Sequence, residues 1–273
     1  MKIQKIKAVY FSPTGNTRRV VEALTHRLGH DLNLTTEVID FTLPGQRQHS
    51  LIFTPEDLVV FGTPVYAGRV PNKISPWIAD HVQGNGAAAI PVVTFGNRSF
   101  DNAAAELRDL LETDGFQVIA AAAFCMPHAF TDKVAADRPD NEDRALLQSL
   151  AVCVEEKIRE DRFEPVTIPG DGKAPYYVPK GTDGKPVNFL KATPKTDMEK
   201  CIHCGFCAEL CPLGSIDYDH PEKITGICIK CQSCIQSCPV GARYFDNPAF
   251  LSHVSMLEQN FTRRAESQIF TDK

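Results

Sequence analysis

The chain has 273 residues, 43% of them hydrophobic, and a formal net charge of -5. That length permits one large or two modest domains with an ample core, and the weak acidic balance gives no reason to expect nucleic acid or an anionic membrane as a partner. No apolar run approaches a bilayer span, and the first residues lack a signal peptide's apolar core and cleavage site, so a reducing, cytoplasmic setting is expected.

Residues 1–163 alternate apolar runs with amphipathic stretches. Residues 3–11 read as a buried strand. A helix follows over 16–28, with Val20, Val21, Leu24 and Leu28 at helical spacing. Further strands are expected over 35–39, 57–61, 87–95 (despite Pro91) and 116–124. Further helices are expected over 71–81, with Pro71 in the first turn, over 101–114, ended by Gly115, and over 141–159. Pro44, Gly45 and Pro55 argue against a full helix within 41–56. Strands alternating with helices imply an α/β fold, a doubly wound parallel sheet of five strands in the order 2-1-3-4-5.

Three turn-rich segments follow the first, third and fourth strands. In a sheet of that order their carboxyl ends meet where ligands bind. The first is Phe11-Ser12-Pro13-Thr14-Gly15-Asn16-Thr17, a hydroxyl-rich turn from strand to helix. Its backbone N–H groups and the hydroxyls of Ser12, Thr14 and Thr17 suit a terminal phosphate at a helix N-terminus. It has no Walker A lysine and no G-x-G-x-x-G, so the monophosphate of FMN fits better than ATP or NAD; a plain strand-to-helix cap is the alternative. The second comprises Thr63, Pro64, Val65, Tyr66, Ala67 and Gly68. The third comprises Thr94, Phe95, Gly96, Asn97, Arg98 and Phe100. Tyr66 or Phe100 could stack on a flavin, or simply pack. Asn97 and Arg98 could donate to its pyrimidine carbonyls, unless Arg98 is a solvated rim charge. His128, after the fifth strand, is a weak candidate proton donor. Trp77, Cys125 and Cys153 read as ordinary packing residues.

Residues 164–195 hold six prolines and four glycines, the composition of a semi-stiff linker, and Tyr176, Tyr177, Val178 and Phe189 suggest that it lies on protein surface. Residues 196–246 carry Cys201, Cys204, Cys207 and Cys211-Pro212, then Cys228, Cys231, Cys234 and Cys238-Pro239. Both runs read C-x2-C-x2-C-x3-C-P, the bacterial iron–sulfur pattern in which the fourth cysteine serves the other run's cluster. The expected ligand sets are therefore Cys201, Cys204, Cys207 and Cys238 for one [4Fe–4S] cluster, and Cys228, Cys231, Cys234 and Cys211 for the second. Zinc sites use paired C-x2-C elements instead, and disulfides imply an oxidising compartment. Residues 247–273 are expected to form a C-terminal helix opened by Asn247-Pro248, with Phe250, Leu251, Val254, Leu257 and Phe261 packing on the body.

FSPTGNT, GTPVYAGRVP and TFGNRSFDNA resemble the flavodoxin-like FMN-binding family, and the doubled cysteine run resembles bacterial two-cluster ferredoxins. The whole arrangement resembles the ferredoxin–flavodoxin fusion proteins of anaerobic bacteria. The resemblance implies FMN, two [4Fe–4S] clusters and electron exchange between them. A redox partner protein (a ferredoxin, flavodoxin or reductase) is expected. An FMN-dependent reductase of a small organic substrate or quinone, and a non-catalytic ferredoxin with an FMN-free docking domain, are the alternatives. The loop after the third strand has no tryptophan to lie over the ring, which leaves the stacking residue open.

Overall fold

A computed structural model describes residues 2–272. In chain order the elements are β1 (Lys5–Tyr10), α1 (Asn16–Leu32), β2 (Thr35–Asp40), a 3-10 turn (Pro44–Arg47), β3 (Leu51–Ile52), β4 (Asp57–Pro64), α2 (Ser75–His81), β5 (Val82–Gln83), β6 (Ala88–Phe95), α3 (Ala103–Thr113), β7 (Gln117–Val118), β8 (Ala121–Cys125) and α4 (Asn141–Arg159). After a long irregular stretch come β9 (Lys195–Thr196), α5 (Phe206–Glu209), α6 (Ser233–Gln236), β10 (Arg243–Tyr244), α7 (Pro248–Asn260) and β11 (Gln268–Phe270).

The main sheet runs β2-β1-β4-β6-β8, all parallel, which is the doubly wound flavodoxin-like order. Its central strands β4 and β6 are buried almost throughout, as continuous apolar runs covered on both faces must be. One face carries Phe11, Phe41, Phe61, Ile78, Leu107 and Leu111 in its core. The other carries Ile6, Val21, Leu24, Leu28, Phe124 and Val154. Pro91 sits in a central strand without breaking it. On one side β7 pairs with Ala88 and Ala89, and β8 pairs only from Val92 onward. The missing N–H of Pro91 therefore falls where the ladder is already interrupted. The strand expected over 116–124 is split in two at the same place.

Helix boundaries differ where turns intervene. α1 runs a turn beyond Leu28, until Asn33 takes the left-handed conformation (φ 53°) and its N–H caps the Gly29 carbonyl. Residues 71–74 form a turn closed by bonds to the Pro71 carbonyl, so α2 begins only at Ser75, with Pro76 in its first turn. α4 matches the expected span, with a capping box between Asp140 and Asp143.

The segment 164–194 contains no helix or strand, yet it is fastened along the body. Arg69, itself paired with Glu106, donates to the carbonyls of Gly172 and Ala174. The Tyr177 N–H donates to Ala67 O at 2.8 Å. Tyr176 and Tyr177 lie over the guanidiniums of Arg69 and Arg98, and Phe189 packs on Phe250 and His253. Val178 is exposed.

The C-terminal segment requires a correction. Asn247 caps α7 as expected, its Oδ1 accepting from the Phe250 N–H at 3.0 Å. The helix buries Phe250, Met256 and Leu257 but leaves Leu251 exposed, and it stops at Asn260. Residues 268–270 then add an antiparallel strand to the free edge of β8. Side chains alternate across that strand: Ile269 joins one core face and Phe270 the other. The cysteine-rich segment is thus inserted between parts of the chain that share one sheet.

Candidate functional site

The cysteine-rich segment is closed at its base by the β9–β10 pair. Its two halves repeat residue for residue. His203 and Lys230 have positive φ (51° and 58°), as do Gly205 and Gln232 (76° and 70°) and Gly214 and Gly241 (59° and 61°). Each left-handed residue at Gly205 and Gln232 opens a one-turn helix that carries the third cysteine of its run. In each half a backbone N–H donates to the fourth thiol, Ser215 to Cys211 at 3.3 Å and Ala242 to Cys238 at 3.2 Å.

Two cavities result. One is lined by Cys211, Cys228, Cys231 and Cys234, with Leu213, Ile216, Ile224 and Ile227. The other is lined by Cys201, Cys204, Cys207 and Cys238, with Ile202, Phe206, Val240 and Arg243. Each draws three cysteines from one run and the fourth from the other. Among the described residues no three His, Cys, Asp or Glu side chains converge as ligands of one ion would. The thiols surround a space instead, which suits a cluster held at four corners by thiolates. Burial pushes the Cys234 thiol up to about 11 and raises Cys207, Cys228 and Cys231 as well. At Cys238 burial also raises the thiol, but the N–H groups of Val240, Ala242, Arg243 and Gly241 outweigh it and the net shift is downward. Loading iron into these pockets must therefore release thiol protons.

The two cavities are not equivalent. Cys204, Ile202, Phe206 and Val240 of one are exposed. The other faces the body on one side, with Ile227 exposed on its outer rim. Arg47 donates to the Pro212 carbonyl, and Gln236 Nε2 donates to Ala129 O at 2.9 Å. Leu213 and Ile229 pack on the same core face as Val65 and Phe100. The Tyr66 hydroxyl is raised well above the usual range by burial and by the nearby Cys231 and Cys228. These contacts come from segments that follow β2, β4, β6 and β8, the carboxyl ends of the sheet.

The crevice at those ends starts with the turn after β1. Gly15 is left-handed (φ 80°) and has no side chain in the way of a ligand. The Gly15 and Arg18 N–H groups are used by Ser12 O and Ser12 Oγ, while those of Thr14, Asn16 and Thr17 have no partner among the described residues. That leaves backbone donors at the start of a long helix, a fit for a phosphate. The Thr63 hydroxyl, at the end of β4, is also buried without a partner. After β4, Tyr66 and Arg69 exchange backbone bonds around Ala67 and Gly68, both at positive φ (49° and 78°). A Cβ at Gly68 would run into the Asp101 carboxylate, so only glycine fits.

Several expected flavin contacts are spent elsewhere. The Thr17 hydroxyl bonds to Thr94 Oγ1 at 2.8 Å inside the body. Asn97 donates to the carbonyls of Phe261 and Arg263 at 2.7 Å and accepts from the Ala265 N–H at 3.0 Å, so its amide anchors the C-terminal tail. Arg98 pairs with Asp101 and lies 3.8 Å from the Tyr177 ring centroid. Phe100 packs against Phe95 and Phe270. Asn16 Nδ2 donates to Pro127 O at 3.0 Å. The sequence could not report these uses, because every partner but Asp101 and Phe95 comes from a distant segment. His128 lies against Gly96, and its Nδ1 accepts from the Phe130 N–H at 3.1 Å, which puts the proton on Nε2. Burial, His253 and Arg98 hold it down to about 4, so it is neutral near pH 7 and a poor acid. Trp77 stacks on Phe41 and His81, as a packing residue should. Sequence reasoning missed Arg243, whose only signal was a lone cation in an apolar stretch after the second run.

A 4Fe-4S binding domain model matches residues 194–217, and a second matches residues 225–241. The chain carries two 4Fe-4S binding domains and two [4Fe–4S] clusters. No curated protein matches the chain. Among solved structures, a flavodoxin from the domain Archaea is 17% identical over 57% of this chain and 99% of its own, with a TM-score of 0.40. A flavodoxin of Streptococcus pneumonia TIGR4 is 19% identical over 57% and 99%, with a TM-score of 0.39. The rubredoxin oxygen:oxidoreductase of the anaerobe Desulfovibrio gigas is 14% identical over 58% of this chain and 37% of its own, with a TM-score of 0.42. The strand order β2-β1-β4-β6-β8 is what makes the sheet flavodoxin-like. Among the described residues no helix is long and apolar enough to cross a membrane.

Proposed function

We propose that this protein is a cytoplasmic electron carrier of anaerobic redox metabolism that joins two [4Fe–4S] clusters to an FMN. The observation that carries the reading is the placement of the Cys211, Cys228, Cys231 and Cys234 cavity against the carboxyl ends of the sheet, beside Tyr66. Cys201, Cys204, Cys207 and Cys238 would hold the outward cluster, where exposed Ile202 and Phe206 leave a surface open to a redox partner protein. The N–H groups of Thr14, Asn16 and Thr17 and the hydroxyls of Ser12 and Thr14 would hold the FMN phosphate. Residues 63–68 would border the ring, with Gly68 letting the backbone approach closely. Bound FMN supplies exchange between one-electron and two-electron chemistry.

The chain's own part is positioning and the exclusion of water. The cysteine-rich segment is bonded to Arg47, and residues 174–177 to Arg69 and Ala67, beside the segment expected to border the ring, which favours exchange between protein-held groups over reduction of a bulky substrate. Neutral His128 gives no support to a proton-donating reductase.

Purification without oxygen, with visible spectra and iron and flavin assays, tests the reading. Flavin bands over a broad iron–sulfur shoulder, with about eight irons per chain, are expected. Iron without flavin would leave a ferredoxin on a docking domain, and zinc would end the proposal. Cys211→Ala should disturb the cluster of Cys228, Cys231 and Cys234 more than that of its own run.

A further inference from the structure

Arg243 is 3% exposed and has no carboxylate partner among the described residues. Its Nη1 donates to Thr196 Oγ1 at 2.5 Å and to the Pro221 carbonyl. Its Nη2 lies 4.0 Å from Cys234 Sγ, and its Nε–H is buried with no partner. Arg243 also lines the cavity of Cys201, Cys204, Cys207 and Cys238, where its charge acts on Cys207. One guanidinium therefore reaches a thiol of one four-cysteine set and acts electrostatically on a thiol of the other.

Two neutral oxygens do not offset a buried positive charge, and a charge left so is strongly unfavourable. The other two buried arginines among the described residues show the usual solution: Arg69 pairs with the Glu106 carboxylate, and Arg138 grips the Asp143 carboxylate with two nitrogens. Around Arg243 the available anions are the thiolate-ligated clusters, which are net negative in either oxidation state. Reduction adds one more negative charge to a cluster. A fixed cation beside it stabilises the reduced form more than the oxidised one, and net charge and hydrogen bonds to sulfur are levers that set such potentials.

We propose that Arg243 is the shared counter-charge of the two clusters and holds both reduction potentials above the values these pockets would otherwise set. The effect is larger on the cluster of Cys234, which also receives the N–H···S bond. The inference rests on the two-cluster ligand sets and not on the flavin.

The test is an anaerobic redox titration of the full chain followed by electron paramagnetic resonance, with iron content measured on each sample. Arg243→Gln removes the charge and keeps amide donors. It should retain both clusters and lower both potentials, by at least a tenfold change in the reduced-to-oxidised ratio for the Cys234 cluster, or about 59 mV for one electron. Arg243→Lys keeps the charge and should stay within about threefold of wild type. Thr196→Val removes one tether but no charge, so it should lower thermal stability and leave the potentials in place. Arg243→Gln with full iron and unchanged potentials would overturn the proposal. If Arg243→Gln cannot hold iron, Arg243→Lys decides: iron retained supports a charge role, and iron lost from both assigns Arg243 to tethering alone. Wild-type protein with about four irons would instead remove the two-cluster premise.

Discussion

The sheet-based body and the cysteine-rich segment are held together by different forces. In the body, Phe11, Phe41, Phe61, Leu24, Leu28 and Phe124 are fully buried in two layers over a wide sheet. The cysteine-rich segment has one-turn helices and two-residue strands, and it leaves Ile202, Phe206, Tyr218 and Ile227 exposed. It cannot bury enough apolar surface to offset the entropy of ordering its chain. Its regularity comes from eight thiols and from backbone turned to meet them. The body folds on apolar burial, whereas the cysteine-rich segment must fold on metal ligation.

Removing iron tests that contrast most severely. Chelation with oxidation should open residues 196–246 to full amide exchange while α1, α4 and the sheet stay protected, as hydrogen-exchange mass spectrometry can show. Uniform protection after iron loss would mean that the cysteine-rich segment stands on its own packing. Next in size are paired truncations. Phe61→Ala, in the core of the body, should cost roughly 3–5 kcal/mol in a denaturant titration. Phe206→Ala, 48% exposed beside the outward cluster, should cost under about 1 kcal/mol. Equal costs would erase the distinction.

The smallest effect is on pH dependence in the body. Burial holds His128 down to about 4 in the folded protein, against about 6.5 when unfolded. Between those values the unfolded chain binds more protons, so this group's stability is lost as pH falls. Buried His253 is also lowered and acts in the same direction. Asp114, raised to about 7 by burial and by Asp80, opposes them, losing stability as pH rises from about 4 to 7. His128→Gln should therefore leave the protein losing less stability, as urea midpoint, than wild type on going from about pH 7 to pH 5. An unchanged slope would show that His128 is more hydrated than its packing indicates.

How much of this was legible depended on how local each determinant is. The α4 span and the Asn247 cap are written in neighbouring residues and could be read directly. So could the cysteine spacing that matches the two 4Fe-4S domains. Pro91 could not be judged alone, because its tolerance depends on where β7 ends and β8 begins. The tail strand was hidden for a similar reason: Gln268-Ile269-Phe270 is too short to announce a strand, and the open edge of β8 is what makes it one. At the expected flavin contacts, the Gly15 turn keeps unpaired N–H donors among the described residues, whereas the Asn97 amide is bonded to residues 261–265.

The sequence by itself determined the metal chemistry, the parallel sheet and the helix-start turn, since periodicity and ligand spacing act within a few residues. Only the tertiary structure decided which cavity faces the sheet, that the last strand returns to the body, and that Arg243 stands between two sets of thiols. Those outcomes depend on groups far apart in the chain competing for the same buried space, hydrogen bonds and charge.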